Sequence, residues 1–126
     1  MAAALGPDNG HIAYSSFAAT NRFISEKPEV VERFVQGFAN ALHWIESNDA
    51  SEIGTAVATF FPDVDKELII KAVDRYKSQG TWPTDPRLDA PEFEGLQDIL
   101  MAAGLVKERQ PYEKVVLPDF AKAVVG

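Results

Sequence analysis

The segment that begins at Pro28 most constrains the fold of this chain, because its apolar side chains recur at the spacing of an α-helix. Proline at a first helical position costs nothing, since its missing N–H would have no partner there. Glu29 follows in the first turn, where the helix dipole favours negative charge. We therefore predict a long amphipathic helix that ends near Ser47, with Gly37 at a point where another backbone packs close. Its apolar stripe consists of Val31, Phe34, Val35, Phe38, Leu42 and Ile45.

Two further helices are predicted directly after this one from capping and stop signals. Asn48 or Asp49 can cap the second helix, and Glu52 stands where a capping box requires an acidic side chain. Asp63 can cap the third helix, and Gly80 provides its C-terminal stop. The apolar face of the third helix is predicted to contain Ile69, Ala72, Val73 and Tyr76.

The second half of the chain alternates irregular and helical stretches. The segment "TWPTDPRLDAP" contains three prolines, which exclude regular structure. A fourth helix is predicted to begin near Pro91 and to end at Gly104 in a Schellman-type motif, with Leu105 folding back on the helix. Pro118 divides the remaining tail into a turn of helix and a last short helix.

The N-terminal end reads differently from the rest of the chain. Residues 1–11 are predicted to form a flexible lead-in, and residues 12–126 a single helical domain. Within "HIAYSSFAAT", residues 12–16 are compatible with one short strand. A lone strand leaves its backbone N–H and C=O groups without partners, so it requires a sheet from elsewhere. The predicted fold is therefore mostly α with one short N-terminal strand, and the missing sheet indicates a fragment of a larger α/β protein.

Composition excludes several classes of function. The net charge is −7 and no Lys/Arg cluster is present, so neither nucleic acid nor anionic lipid is an expected partner. The absence of cysteine excludes disulfides, thiolate metal sites and thiol nucleophiles. No run approaches the ~20 apolar residues of a membrane span. The first residues lack the basic and apolar regions of a secretory signal, so no export signal is expected in this chain.

Residues with catalytic or metal-binding spacing are scarce, and we predict no catalytic residue, no metal site and no cofactor. The alternating acids of "DVDKEL" suggest a calcium loop, but Leu68 stands where such a loop needs glycine, and a helix start is the better interpretation. His43 lies on the flank of the first long helix without convergent ligands. From these residues an enzyme cannot be argued.

Four residues are candidates for ligand binding. Tyr14, Ser15 and Ser16 together offer hydroxyl groups to a small ligand, although a strand end built of small residues explains them as well. Trp82, between Thr81 and a proline, can cover a pocket mouth or a core edge, and the sequence favours neither.

The stretch "ATNRFISEKPEVVERFVQGFANALHWIESND" resembles the C-terminal portion of ABC-transporter substrate-binding proteins of the nitrate/sulfonate/taurine type. That group includes relatives that bind pyrimidine precursors of thiamine. The segments "YKSQGTWPTDPRLDAPEFEGLQDILMAAGLV" and "YEKVV" are similar to later parts of the same family. The residues that match the first motif are Ala19, Thr20, Phe23, Ile24, Pro28, Glu29, Val31, Phe34, Ala41, Trp44 and Asn48.

This resemblance implies a fragment of a type II periplasmic-binding-protein lobe, in which an α/β fold holds solute in a cleft. It implies a solute-binding role in an ABC importer for a small sulfonate, nitrate or pyrimidine-type solute, without catalysis. The full-length parent would be periplasmic or extracellular and would dock on an ABC permease. Exposed apolar helix faces would be covered by self-association or by further polypeptide. The alternative is an independent helical protein-interaction domain without ligand-binding activity.

Overall fold

A computed structural model describes residues 10–125, and this part of the chain is helical. A short 3₁₀ turn, Ala58–Phe60, follows the third helix. The helices are α1 (Asn21–Glu26), α2 (Pro28–Ser47), α3 (Ala50–Val57), α4 (Lys66–Ser78), α5 (Ala90–Ala102), α6 (Tyr112–Val115) and α7 (Asp119–Val125). The long helix predicted from Pro28 to the region of Ser47 is confirmed, and so is the division of the tail around Pro118. The predicted lead-in over residues 1–11 falls largely outside the described residues.

The tightest packing in the structure is between α3 and α4. Ile53, Ile69 and Val73 form a buried apolar cluster there, each less than 9% exposed. Gly54 is buried where the two helices meet. A Cβ built on this residue would lie 2.6 Å from Ile70 Cγ1 and 3.0 Å from Ile70 Cα. The absence of a side chain at Gly54 therefore allows the two backbones to approach closely.

Helix α2 supports both ends of the described chain. Helix α7 packs against it, with Ala121 buried. Leu42 of α2 is 3% exposed, and Ile45 packs against the α3–α4 cluster. Gly37 contradicts our expectation of a close backbone neighbour, because no atom lies within 4 Å of a Cβ built at this residue.

The region around α5 is held by hydrogen bonds between side chains and backbone. Gln97, 6% exposed, accepts the backbone N–H of Gln110 at 2.6 Å and donates to the Gln110 carbonyl at 3.1 Å. The Tyr112 hydroxyl donates to the Leu88 carbonyl at 2.5 Å. These contacts fix α6 and the loop before it against α5.

The predicted N-terminal strand, and with it the fragment of an α/β lobe, is wrong for the described residues: residues 10–125 contain no strand. Residues 12–16 instead form irregular chain. Tyr14 N–H donates to the Ile12 carbonyl at 2.9 Å, which closes a γ-turn, and Ala13 N–H donates to the Glu92 carbonyl of α5 at 3.1 Å. Ile12 lies beside Gly95, where a Cβ would be 3.3 Å from Ile12 Cγ2. The described part is thus an all-helical small domain.

The predicted caps are confirmed in part. Asp49 and Glu52 form the complete capping box of α3, with hydrogen bonds of 2.8 Å and 3.2 Å. The cap of α4 is Asp65 rather than Asp63, because residues 61–64 form a turn and the Asp65 carboxylate accepts the N–H of Glu67 at 2.7 Å.

The C-terminal ends predicted at Gly80 and Gly104, which are the ends of α4 and α5, are present as Schellman hydrogen-bond patterns. Gly80 has φ +62° and Gly104 has φ +70°, values that favour glycine. The N–H of Thr81 donates to the Tyr76 carbonyl at 3.0 Å, and that of Leu105 to the Leu100 carbonyl at 2.9 Å. The expectation that Leu105 folds back on its helix is wrong, since its side chain is 74% exposed.

The chain exposes more surface than a compact protein of its size. Its accessible surface is 9603 Å² at a mass of 13.8 kDa, whereas about 6,600 Å² is expected for a compact monomer. In the described part of the chain, large apolar side chains belong to this surface, with Phe60 78% and Leu105 74% exposed. Among residues 10–125, no helix is long and apolar enough to cross a bilayer.

Candidate functional site

A surface groove of about 210 Å³ lies where the C-terminal ends of α2 and α4 meet the loop that follows α4. Apolar and aromatic side chains form most of its wall, and Glu46 and Thr84 add polar groups. This combination of apolar walls and a few polar groups is typical of small-molecule sites. The lining residues are Leu42, Ile45, Glu46, Tyr76, Lys77, Gly80, Trp82, Pro83 and Thr84.

Trp82 and Tyr76 form the aromatic side of this groove, which we name the Trp82 groove. Their rings are 5.6 Å apart between centroids and cross at 86°, an edge-to-face arrangement. The Gly80 turn places the indole there by reversing the chain directly after α4. Trp82 also packs against the buried α3–α4 cluster. Both interpretations of this residue therefore apply, since it covers the edge of the core and lines a groove.

Lys77 carries positive charge into the groove wall, but its donors are already engaged. Its Nζ donates to the carbonyls of Ile45 and Asn48, each at 2.5 Å, with the Glu46 carbonyl at 3.5 Å. These carbonyls belong to the C-terminal end of α2, where the helix dipole favours a cation. Lys77 thus stabilises the end of α2 and joins it to α4, and it offers little to an anionic ligand.

The loop beyond Thr84 is fixed by an ion pair. The Asp85 carboxylate accepts the Arg87 backbone N–H and Nε at 2.9 Å and Nη2 at 2.7 Å. These hydrogen bonds from Arg87 lower the pKa of Asp85 below its ordinary value. The Arg87 guanidinium is correspondingly occupied by this carboxylate.

The three hydroxyl residues predicted as ligand contacts lie elsewhere. Tyr14 is 84% exposed, and Ser15 and Ser16 are also exposed. None of them lines the Trp82 groove. The structure therefore does not join these three residues and Trp82 into one site, and their role in ligand binding stays a prediction.

A second, larger groove of about 460 Å³ separates α2 from α7. Glu32, Arg33 and Asp119 line it together with Phe120. We prefer the smaller groove as the candidate site, because it combines an aromatic pair with a wall anchored in the buried cluster. Among residues 10–125, no three His, Cys, Asp or Glu side chains converge as they would to hold a metal ion.

Comparison with known proteins gives one informative likeness. The chain is 28% identical over all of its 126 residues to a protein of Bacillus subtilis (strain 168) named "Putative binding protein YtlA". This alignment spans 38% of the length of that relative. No protein-family model matches the chain, and no solved structure matches it. The likeness supports a binding function in general terms and does not specify the nitrate/sulfonate/taurine family or its pyrimidine-binding relatives.

Of the nine residues that line the groove, sequence reasoning identified Trp82 alone as a candidate for ligand binding. Tyr76 was assigned only to the apolar face of its helix, although nearly half of its surface is exposed beside Trp82. The role of Lys77 was not anticipated, because its partners lie 29 to 32 residues earlier in the chain. A basic residue in the last turn of a helix is an ordinary dipole partner, and nothing in the sequence indicates that it serves a different helix.

Proposed function

We propose that this chain is a helical part of a solute-binding protein that delivers a small pyrimidine-type solute to an ABC importer, and that the Trp82 groove contacts the solute. The protein would act outside the cytoplasm and would bind its solute without converting it. The observation that carries the proposal is the likeness to a binding protein over every residue of the chain.

The chemistry of the Trp82 groove favours an uncharged planar ring over the other solutes implied by the sequence resemblance. Sulfonate and nitrate are anions, and they need donors or cations that are free to bind them. The Lys77 ammonium is hydrogen-bonded to backbone carbonyls, and the acidic residue Glu46 lines the same groove. A flat heteroaromatic ring instead gains from contact with Trp82 and Tyr76.

The polar groups of the groove suit the edge of an aminopyrimidine. The Glu46 carboxylate can accept a hydrogen bond from an exocyclic amino group, and the Thr84 hydroxyl can donate to a ring nitrogen. The groove volume of about 210 Å³ accommodates a single ring of this kind. The groove is open at the surface, so we expect weak affinity, with a dissociation constant of about 1 mM for a ligand of so few atoms.

Thermal unfolding with 4-aminopyrimidine, taurine and nitrate tests the proposal. At 10 mM, a ligand of about 1 mM dissociation constant stabilises the folded state by about 1.4 kcal/mol. This stabilisation should raise Tm by roughly 3–6 °C with 4-aminopyrimidine, while taurine and nitrate should each change Tm by less than about 1 °C.

Two tryptophan variants provide the matched control. Trp82→Ala should abolish the shift caused by 4-aminopyrimidine, whereas Trp44→Ala should retain it, because Trp44 lies outside the Trp82 groove. A shift with taurine or nitrate but not with the pyrimidine would contradict the assigned solute class. A pyrimidine shift that survives Trp82→Ala would contradict the assigned site.

The exposed apolar surface favours a second candidate, an independent helical domain that binds protein rather than solute. Phe60 is 78% exposed and Phe17 is 68% exposed, and Phe34 and Trp44 add further exposed aromatic area. Surfaces of this kind often mark protein-binding sites. The absence of a thermal shift with all three solutes, together with self-association that increases with protein concentration, would favour this candidate.

A further inference from the structure

Helix α2 carries a second apolar stripe beside the one that faces the core, and Phe34, which was predicted in the core-facing stripe, is exposed and belongs to the second one. We name it the α2 seam, and it consists of Val30, Phe34, Gly37, Ala41 and Trp44. Every residue of the seam is exposed, and no atom lies within 4 Å of a Cβ built on Gly37. The separation between successive seam residues alternates between four and three positions, which is the a/d spacing of helices that pack along a seam. The neighbours of this face among residues 10–125, which include Phe17, leave each seam residue exposed.

Phe17 extends the seam on one side and adds to its area. Its ring lies edge-on to Phe34 at 4.8 Å and to Phe38 at 5.1 Å between centroids, yet it remains 68% exposed. With Phe34 at 50% and Trp44 at 42% exposure, the three aromatic side chains leave about 300 Å² of apolar surface in contact with water, within the range of functional patches on monomers.

Between Phe34 and Trp44, the order of side-chain sizes along the seam is the same in both directions. From Phe34 the steps are three, four and three residues, and the sizes run large, small, small and large. Two copies of α2 packed antiparallel would therefore place Phe34 of each against Trp44 of the other. Gly37 of each would face Ala41 of the other, which allows close approach of the helices at the centre. We infer that the α2 seam is an isologous interface at which two copies of this chain form an antiparallel helix pair.

Charge and area agree with a weak dimer. The seam has no charged residue although the chain carries a net charge of −7, and the nearest charged position around the helix is Arg33. The interface therefore brings no carboxylates together. Two copies of the aromatic surface bury at most about 600 Å² before the smaller residues are counted, which is below the ~1,200 Å² of standard interfaces and agrees only with a weak, transient dimer. We expect a dissociation constant on the order of 100 µM.

Cysteine cross-linking tests both the interface and its direction, because the chain contains no cysteine. Gly37→Cys and Ala41→Cys are prepared as full chains, one with a size tag, and mixed at about 200 µM under mild oxidation. The antiparallel register predicts that the mixture forms the 37–41 heterodimer at least several-fold faster than either variant alone forms a homodimer. His43→Cys, which is exposed on α2 outside the seam, is the control and should cross-link at the background rate.

Sedimentation of charge variants provides a measurement that does not depend on oxidation. Ala41→Glu should weaken association by at least tenfold, while His43→Glu, which adds the same charge away from the seam, should change it less than twofold. Added salt should strengthen the association of the unmodified protein, because it screens the net negative charge of the two copies. Circular dichroism should give the same helix content for both variants.

Each outcome decides the inference. A monomer at all concentrations up to about 1 mM would overturn it, and so would a dimer that Ala41→Glu and His43→Glu weaken equally. A cross-linking rate that is the same for His43→Cys as for the 37–41 mixture would also overturn it. Cross-linking of Gly37→Cys with itself that is faster than its cross-linking with Ala41→Cys would contradict the antiparallel register.

Discussion

Gly54 and Gly37 both lie inside helices, and their surroundings predict opposite responses to alanine. A Cβ on Gly54 would meet the backbone of Ile70 at 3.0–3.2 Å, so α3 and α4 would have to separate. We expect Gly54→Ala to lower the free energy of unfolding by about 1–3 kcal/mol. Gly37→Ala meets no atom within 4 Å and should raise it by up to about 1 kcal/mol, because alanine favours the helix.

Urea unfolding followed by circular dichroism measures both changes at about 1 µM protein, where association at the α2 seam is negligible. The two variants serve as each other's control, since the chemical change is identical. An equal effect of the two substitutions would contradict the close contact between α3 and α4.

Residue-level signals in the sequence predicted local hydrogen bonds well. The Asp49–Glu52 capping box and the reversals at Gly80 and Gly104 all depend on neighbours within a few residues. The predicted cap Asp63 was wrong, because the turn at residues 61–64 delays the helix start and makes Asp65 the cap. Gly37 shows the other limit, because a glycine in a helix does not reveal whether anything packs against it.

At the scale of elements, Tyr112 links α6 to the loop before α5. Its hydroxyl donates to the Leu88 carbonyl at 2.5 Å. Burial, together with the negative charges of Asp89 and Glu92, raises the pKa of Tyr112 above its ordinary value. The neutral phenol is therefore the form that the folded state favours.

This pKa shift has a definite consequence for stability at alkaline pH. The contribution of Tyr112 is fully present below the ordinary tyrosine value of 10.0, and it is lost as pH rises through the higher pKa of the folded state. Tyr112→Phe should cost about 1 kcal/mol at pH 7, the usual net value of a hydrogen bond. Unfolding measured from pH 7 to pH 11 should show a shallower loss of stability above pH 10 in Tyr112→Phe than in the parent. If the free energy of unfolding falls equally with pH in Tyr112→Phe and in the parent, the stabilising role of the neutral Tyr112 phenol is contradicted.

Elements with strong helical spacing were predictable, and the N-terminal segment was not. The stripe of α2 repeats over many residues and outweighs any single exception. Residues 12–16 give only a weak signal, with Ile12 and Tyr14 separated by Ala13 and followed by two serines. The backbone of this segment instead bonds to itself and to the Glu92 carbonyl, a partner about 80 residues later that no local pattern indicates.

For the whole molecule, the excess of exposed apolar surface connects the fold to its proposed roles. The described helices cover the α3–α4 cluster and one face of α2, and they leave the α2 seam and the Trp82 groove open to solvent. The sequence indicated Trp82 as a candidate, but the groove requires the ends of α2 and α4 to meet, which the Lys77 hydrogen bonds bring about. Such tertiary contacts cannot be read from spacing along the chain.

The most direct test of the proposed solute site uses the two tryptophans of the chain, whose indole N–H groups give two separate NMR signals. Trp44→Phe assigns them by removing one. Titration with 4-aminopyrimidine to about 10 mM should shift the Trp82 signal saturably, with a dissociation constant of about 1 mM, and should leave the Trp44 signal in place. A Trp82 signal that does not move, or equal linear shifts of both signals, would contradict solute binding in the Trp82 groove.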